Sequence, residues 1–324
     1  MRLLITGAAG FIGSNYVRMI ANGNLAGISE IKVLDKLTYA GVKENLDSAV
    51  ANLSRYEFVQ GDICDPGVVT ELVADSDLVL NFAAESHVDR SISGASDFVQ
   101  TNIVGVQVLL DAIKDSGRKI RFLQVSTDEV YGSIESGSWT EDWPLQPNSP
   151  YSASKASGEL IARSYYKTHG MDVVITRCSN NYGTHHFPEK LIPLFITNLI
   201  EGERVPVYGK GNNVRDWLHV DDHCRGIHAV LMNGRAGEVY NIGGGRELTN
   251  LEITLLIIEA MGAHESSIEY VEDRKGHDLR YSVDWTKINR ELGYEPKVKF
   301  EDGLKDTIQW YQNNLEWWKP LKSR

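Results

Sequence analysis

Seven residues near the start of the chain, Gly7-Ala8-Ala9-Gly10-Phe11-Ile12-Gly13, constrain its fold more than any other stretch. They follow a short apolar run, Leu3-Leu4-Ile5-Thr6, and open a helical pattern at Phe11. Strand, tight glycine turn and helix N-terminus in that order let backbone N–H groups approach a pyrophosphate, whose negative charge the helix dipole favours. The spacing is GxxGxxG rather than GxGxxG, so its context carries the argument. A second strand, Ile31-Lys32-Val33-Leu34, ends in Asp35, a carboxylate able to accept hydrogen bonds from an adenosine ribose. A 2′-phosphate would meet like charge there. NAD is therefore expected rather than NADP, with the neighbouring Lys36 pulling the other way.

Composition removes several classes of function. The apolar stretch after Met1-Arg2 stops at Gly7, which suits a strand better than a secretion signal. A chain of 324 residues, 42% hydrophobic, can build one large domain or two smaller ones. Cys64, Cys178 and Cys224 form no CxxC pair and no even disulfide framework, so a reducing cytoplasm is the expected location. No run approaches the roughly 18 apolar residues of a membrane span, and Ile253–Ile258 reads as a core helix segment. A net charge of −11 disfavours nucleic acid. Any anionic ligand must then be held by local cations and backbone donors.

Strand-like runs recur between helical stretches at Arg2–Thr6, Ile31–Leu34, Tyr56–Gln60, Leu78–Phe82, Ile120–Val125 and Val173–Arg177. That alternation predicts an α/β fold, a Rossmann-type doubly wound parallel sheet. Phe98 to Lys114 reads as one long amphipathic helix, with Val99, Ile103, Val106, Leu109, Leu110 and Ile113 as its apolar stripe. After Cys178 the alternation turns irregular, which predicts a smaller mixed α/β C-terminal substrate domain. Glu238–Gly243 reads as a strand returning to the first sheet. The expected division is 1–177 plus about 216–244 for the cofactor, and about 178–215 plus 245–324 for the substrate.

Two segments carry candidate chemistry. Ser126-Thr127-Asp128-Glu129-Val130-Tyr131-Gly132 follows the fifth strand, where open α/β sheets bind ligands. Ser126 to Glu129 fits a capping box, and two adjacent carboxyls can supply an acid and a base if their environments split their pKa values. Tyr151-Ser152-Ala153-Ser154-Lys155, after Pro150, places tyrosine and lysine at i and i+4 on one helix face. A nearby ammonium would lower the phenol pKa and make tyrosinate an accessible base. His219 and His223 share the i, i+4 spacing of zinc helices, but Asp221 and Asp222 read as helix-start residues and no third ligand is evident, so no metal is expected. His185-His186 reads as a substrate-facing or solvated loop, and Trp143, Trp217, Trp317 and Trp318 as packing residues.

GxxGxxG together with YxxxK resembles the extended short-chain dehydrogenase/reductase superfamily, which works on nucleotide sugars. Within it the chain is similar to the dTDP-glucose 4,6-dehydratase family. The resemblance runs nearly end to end, through Leu34–Gly41, Gly61-Asp62-Ile63, Ala83–Ser91, Ser126–Gly132, Asn180–Gly183, Phe187–Pro193, Val207–Gly211, Asn213–Val220 and Gly276–Tyr281. The Thr-Asp-Glu triplet is its specific element, since epimerases of the superfamily typically lack it; a UDP-glucose 4,6-dehydratase or a nucleotide-sugar 4-epimerase is the alternative, and a non-catalytic NAD-binding sensor of the same fold would usually lack the YxxxK pair.

The resemblance implies conversion of dTDP-glucose to dTDP-4-keto-6-deoxyglucose and water, with tightly bound NAD regenerated each turnover. Tyr151 would take the 4-hydroxyl proton as hydride leaves C4, with Lys155 tuning it and Thr127 bonding around the 4-oxygen. Glu129 would then remove the C5 proton, and Asp128 would protonate the departing C6 hydroxyl. Carried over by motif, Gly7, Gly10, Phe11, Ile12, Gly13, Asp35, Lys36, Thr38, Asp62, Ile63, Ala83, Ala84, Ser86, Thr101, Tyr151, Lys155 and Asn181 would hold the cofactor. Lys190, Arg215 and Arg274 would take the diphosphate and nucleotide, with Ser86, His87, Thr127, Asn180, Glu189, Leu191, Pro206, Tyr208, Asn250 and His277 completing the substrate site. The helix from about Phe98 and the one bearing Tyr151 would form a four-helix homodimer interface. Three positions depart from the family pattern: Ala8 for a frequent glycine, Thr184-His185-His186 for a Pro-Tyr-Gln type of loop, and Lys275 for a proline.

Overall fold

A computed structural model describes residues 1–50, 53 and 55–322. Its strands are β1 (Arg2–Thr6), β2 (Glu30–Asp35), β3 (Tyr56–Gln60), β4 (Leu78–Asn81), β5 (Arg121–Thr127), β6 (Val173–Cys178), β7 (Asn180–Tyr182), β8 (Val205–Tyr208), β9 (Val214–His219), β10 (Val239–Ile242), β11 (Glu247–Thr249) and β12 (Ile268–Val271). Seven of them form one sheet in the order β10-β6-β5-β4-β1-β2-β3, with every neighbouring pair parallel. A parallel sheet covered on both faces needs strands that are apolar on both faces. Leu3 and Ile5 of β1 accordingly pack beneath the helices Phe11–Ala21 and Val220–Asn233. Leu4 points the other way, toward Pro66–Ala74 and Val106–Asp115. Strand order reverses between β1 and β4, which opens a crevice at the carboxyl edge of the sheet.

The segment read as a returning strand is β10, at the sheet edge beside β6. A further apolar cluster gathers Phe195, Ile196, Ile253, Ile257, Leu304, Ile308, Tyr311 and Trp318. It lies with two small sheets, β11-β9-β7 and β12-β8, which stand apart from the large one in strand pairing.

Two local expectations need correction. The stretch from Phe98 to Lys114 is helical but not uniform: Ser96–Val99 leads into a wide π turn, Gln100–Gly105, before Val106–Asp115. A π turn accommodates one extra residue, so the buried stripe slips. Phe98, Asn102 and Gly105 are buried, while Val99, expected inside, is 47% exposed. Close packing holds the wide turn. A β-carbon at Gly158 would fall 2.5 Å from the Asn102 carbonyl oxygen, and one at Gly105 would strike Ile63. The second correction concerns Ser126, which caps nothing. β5 runs on to Thr127, whose hydroxyl accepts from Glu129 N at the start of a single 3-10 turn, Asp128–Tyr131.

Candidate active site

The glycine turn is built for close approach. Gly7 has φ +70°, and a β-carbon on it would lie 2.5 Å from Ala83 N at the end of β4. One on Gly13 would fall 2.7 Å from both Ala8 Cα and the Gly7 carbonyl oxygen. Gly10 caps the Phe11–Ala21 helix in extended geometry with no side-chain acceptor, so the first N–H groups face the crevice. Among described residues only Leu37 and His185 combine a side chain with positive φ, so Ala8 sits unstrained where glycine is frequent. Asp35 Oδ2 accepts from Ala9 N, and Oδ1 from Leu37 N, both at 2.8 Å. The carboxylate thus fixes the turn and keeps further lone pairs for a ligand. Burial pushes Asp35 up, against those two bonds.

Two adjoining clefts open along the carboxyl edge. The inner one is lined by each residue expected at the cofactor, from Gly7 through Asp35, Asp62, Ala83 and Thr101 to Lys155 and Asn181. Thr127, Asp128, Glu129 and Tyr151 form its far wall. The outer cleft is lined by Ser86, His87, Asn180, Glu189, Lys190, Leu191, Pro206, Tyr208, Arg215, Asn250, Arg274 and His277. Of the expected substrate residues, only Thr127 lies in the inner cleft alone. Ser86, Glu129, Asn180, Glu189 and Lys190 border both, so the clefts meet beside the acid pair.

The two carboxyls occupy unlike surroundings. Asp128 is 2% exposed; Thr127 Oγ1 donates to its Oδ1 at 3.2 Å, and its Oδ2 has no partner among described residues. Burial, reinforced by the charge of Glu129, lifts Asp128 well above the ordinary carboxyl range. Burial also raises Glu129, but Arg215, Lys190 and Arg274 pull it back. The two carboxyls thus stand in unlike electrostatic surroundings, the condition under which neighbouring acids divide into a proton donor and a proton acceptor.

Pro150 at the first position and a Ser149–Ser152 capping box start the Pro150–His169 helix, which carries Tyr151 and Lys155 on one face. Lys155 Nζ donates to the Val125 carbonyl oxygen at 2.7 Å, and burial pushes its pKa down to about 8. Tyr151 departs from expectation. Burial and the charges of Glu129, Cys178 and Asp128 raise its phenol well above the usual value, with Thr127 opposing. Sequence spacing shows the lysine but not the two acids that face the phenol.

In the outer cleft Arg215 lies 6% exposed, its guanidinium 4.1 Å from the Tyr281 ring centre. It donates to the carbonyls of Val214 (2.8 Å) and Asp278 (2.9 Å). Asp89 grips Arg274 through Oδ1 at 2.6 Å and Oδ2 at 3.1 Å. Lys190 Nζ donates to the Ser86 carbonyl oxygen at 3.0 Å. The local cations that an acidic chain needs for an anion therefore converge here.

Of the two readings of His186 the cleft-facing one fits, not the solvated one: its ring stacks on Phe11 at 4.0 Å and borders both clefts. His185 packs on Trp310 instead. Trp317 lines the inner cleft and donates to Asn45 Oδ1 at 2.8 Å. Trp143 is 45% exposed and packs no core. His219 Nδ1 accepts from Asp221 N as a helix cap, and no group of three or more metal-ligating side chains stands together among the described residues.

A parallel dinucleotide-type sheet, a Tyr–Lys helix and an acid pair between two anion-suited clefts define an extended short-chain dehydrogenase/reductase of the nucleotide-sugar type. More narrowly, the chain belongs to the GDP-mannose 4,6 dehydratase family, which matches residues 4–307. It is 60% identical over 320 residues to a dTDP-glucose 4,6-dehydratase of Streptomyces griseus, covering 98% of this chain and 96% of that one. It is 56% identical over 325 residues to the Streptomyces niveus enzyme of the same name, covering 100% and 96%. The structure of DesIV, a dTDP-glucose 4,6-dehydratase from Streptomyces venezuelae with NAD and dTDP bound, aligns with a TM-score of 0.97 at 57% identity, covering 99% of this chain and 100% of that one.

Proposed function

We propose that the protein is an NAD-dependent hydro-lyase that converts dTDP-glucose to dTDP-4-keto-6-deoxyglucose and water. The observation that carries this reading is the acid pair: Asp128 buried with an unpartnered Oδ2, and Glu129 beside it under the pull of three cations, in one turn that shares a cleft with Tyr151. An epimerase has no use for a second acid and base at that point.

The residues present fit NAD. The glycine turn leaves no space for β-carbons, and the uncapped helix offers N–H donors to a pyrophosphate. Asp35 would take the ribose, with Lys36, Thr38, Asp62 and Ile63 around the adenosine and Ala83, Ala84, Ser86, Thr101 and Asn181 nearer the ring. When bound, NAD supplies a reversible hydride acceptor and a positive charge that offsets the burial holding Tyr151 protonated.

Tyr151 then accepts the 4-hydroxyl proton, steadied by Thr127 and by Lys155 on the next helical turn. Oxidation at C4 acidifies the C5 proton, which Glu129 removes. Asp128 gives its proton to the C6 hydroxyl as it leaves as water; the hydride taken from C4 would then return to C6 and a proton to C5, which completes the 6-deoxy sugar and leaves the cofactor oxidised. Without the transient ketone the C5 carbanion would have no stabilisation, so oxidation has to precede elimination. Lys190, Arg215 and Arg274 hold the diphosphate and nucleotide.

The same reading assigns residues 1–177 plus about 216–244 to the cofactor and the remainder to the substrate. It places the protein in the cytoplasm, where its free cysteines stay reduced. It also makes the chain a homodimer through a four-helix bundle. Val99 (47% exposed) and Leu160 (56%), on the two helices concerned, support that assembly.

The deciding experiment is incubation with C4-deuterated dTDP-glucose. Label at C6 of a 6-deoxy product supports the reading; label kept at C4 of a galactose-configured product makes the chain an epimerase.

A further inference from the structure

Arg177, at the end of β6, lies opposite Ser126 on β5, one residue before the Thr127-Asp128-Glu129 run. It is 5% exposed, and its partner Glu159 2%. Arg177 Nε donates to Glu159 Oε2 at 3.0 Å and to Oε1 at 3.2 Å, while Nη2 donates to Oε2 at 2.7 Å. Glu159 follows Tyr151 and Lys155 at successive i+4 steps, so it stands on the same helix face. The other arm reaches the acid turn. Arg177 Nη1 donates to Tyr131 Oη at 2.7 Å and to the Glu141 carbonyl oxygen at 3.2 Å. Tyr131 closes the Asp128–Tyr131 turn, donates in turn to Asn241 Oδ1 at 2.9 Å, and stacks on Trp139. One guanidinium therefore ties the helix carrying the phenol to the turn carrying both carboxyls.

We infer that Arg177, with Glu159 and Tyr131, is a positioning element that aligns the elimination residues with the oxidation residues. A buried ion pair is a poor device for stability alone, because desolvation cancels much of its attraction. Its planar fork is well suited to fixing an angle between two elements. Tyr151 and Lys155 sit on the helix itself, so oxidation at C4 does not depend on the tie to Tyr131. Glu129 and Asp128 must meet C5 and C6 of a sugar whose C4 is already held at Tyr151, so elimination does depend on it.

The inference rests on the dehydratase reading, and single-turnover kinetics separates the two. Tyr131→Phe removes the hydroxyl and leaves the ion pair; Arg177→Lys keeps a charge beside Glu159 but cannot fork to Tyr131. In either variant, mixed as the NAD-loaded protein with dTDP-glucose, nicotinamide reduction should proceed at the wild-type rate with KM unchanged. Its reoxidation and water loss should slow roughly 10- to 100-fold, the penalty of a small misalignment. A merely structural role would lower the active fraction and leave the ratio of the two phases intact. Equal slowing of both phases, slowing of oxidation alone, or wild-type traces would overturn the inference. So would failure of both variants to fold, which would make the pair a folding element. Wild-type protein that neither reduces its nicotinamide nor makes product would instead overturn the dehydratase reading.

Discussion

Lys36 Nζ lies 2.8 Å from Asp62 Oδ2, at the edge of the inner cleft and one residue beyond Asp35. Lys36, the cation next to Asp35 that favours a 2′-phosphate, is thus engaged by a carboxylate. Asp35 and Asp62 line the same cleft, so with the dinucleotide placed as proposed a 2′-phosphate would meet both carboxylates. Asp62→Asn should free the ammonium and tighten NADP binding about two- to five-fold, the worth of one exposed ion pair. Titration calorimetry with both dinucleotides checks this; an unchanged NADP affinity would return Lys36 to a role elsewhere.

Glu129→Gln should retain C4 oxidation and stop before water leaves, with kcat down about 10²- to 10⁴-fold. Persistent nicotinamide absorbance without 6-deoxy product is the signature in a stopped-flow trace. Normal turnover would remove Glu129 from the reaction.

Arg215 lowers Glu129 while burial raises it. Replacing Arg215 with Met should therefore move the acidic limb of the kcat profile to higher pH, since the base must be ionised to act. KM should rise as well, through the lost phosphate contact. A pH–rate profile superimposable on the wild type would show that the guanidinium does not reach Glu129.

Lys155 has a folded-state pKa of about 8 against a reference of 10.5. The folded state thus binds fewer protons than the unfolded state between those values, and stability rises with pH across that window. Below it the full cost of burying the charge remains. Lys155→Met should gain about 1–2 kcal/mol at neutral pH, after loss of the Val125 hydrogen bond, and nearly abolish turnover. The gain should be flat below pH 8 and shrink toward 10.5. Denaturant melts across that range test it; a variant less stable than wild type at pH 7 refutes it.

Val99→Asp should convert a dimer into a monomer. Sedimentation velocity reads this directly, and a wild-type chain that already sediments as a monomer would remove the proposed four-helix interface.

Much of the molecule can be read from its residues because local chemistry and global fold agree. Gly7 and Gly13 announce the turn because no β-carbon fits there, and six of the seven strands of the large sheet declare themselves by apolar runs between helices. What the sequence conceals are effects between distant residues. The spacing of Tyr151 and Lys155 suggests a lowered phenol pKa, but burial raises it, helped by the charges of Glu129 and Asp128 in a turn some twenty residues earlier and of Cys178 on β6. Val99 satisfies helical periodicity, and only the packing of Gly158 and Gly105 shows that the period slips. His186 reveals its place only once Phe11, far away in sequence, stacks against it.

The wide turn at Gln100–Gly105 turns that slip into linkage. It brings the Asn102 carboxamide to both backbone groups of Glu85 at 2.9 and 3.0 Å, and to Ser154 Oγ at 2.8 Å. Ser154 in turn donates to the Tyr151 carbonyl oxygen. The loop lining the inner cleft and the first turn of the phenol-bearing helix thus share a single rivet, and neither can shift without dragging the other.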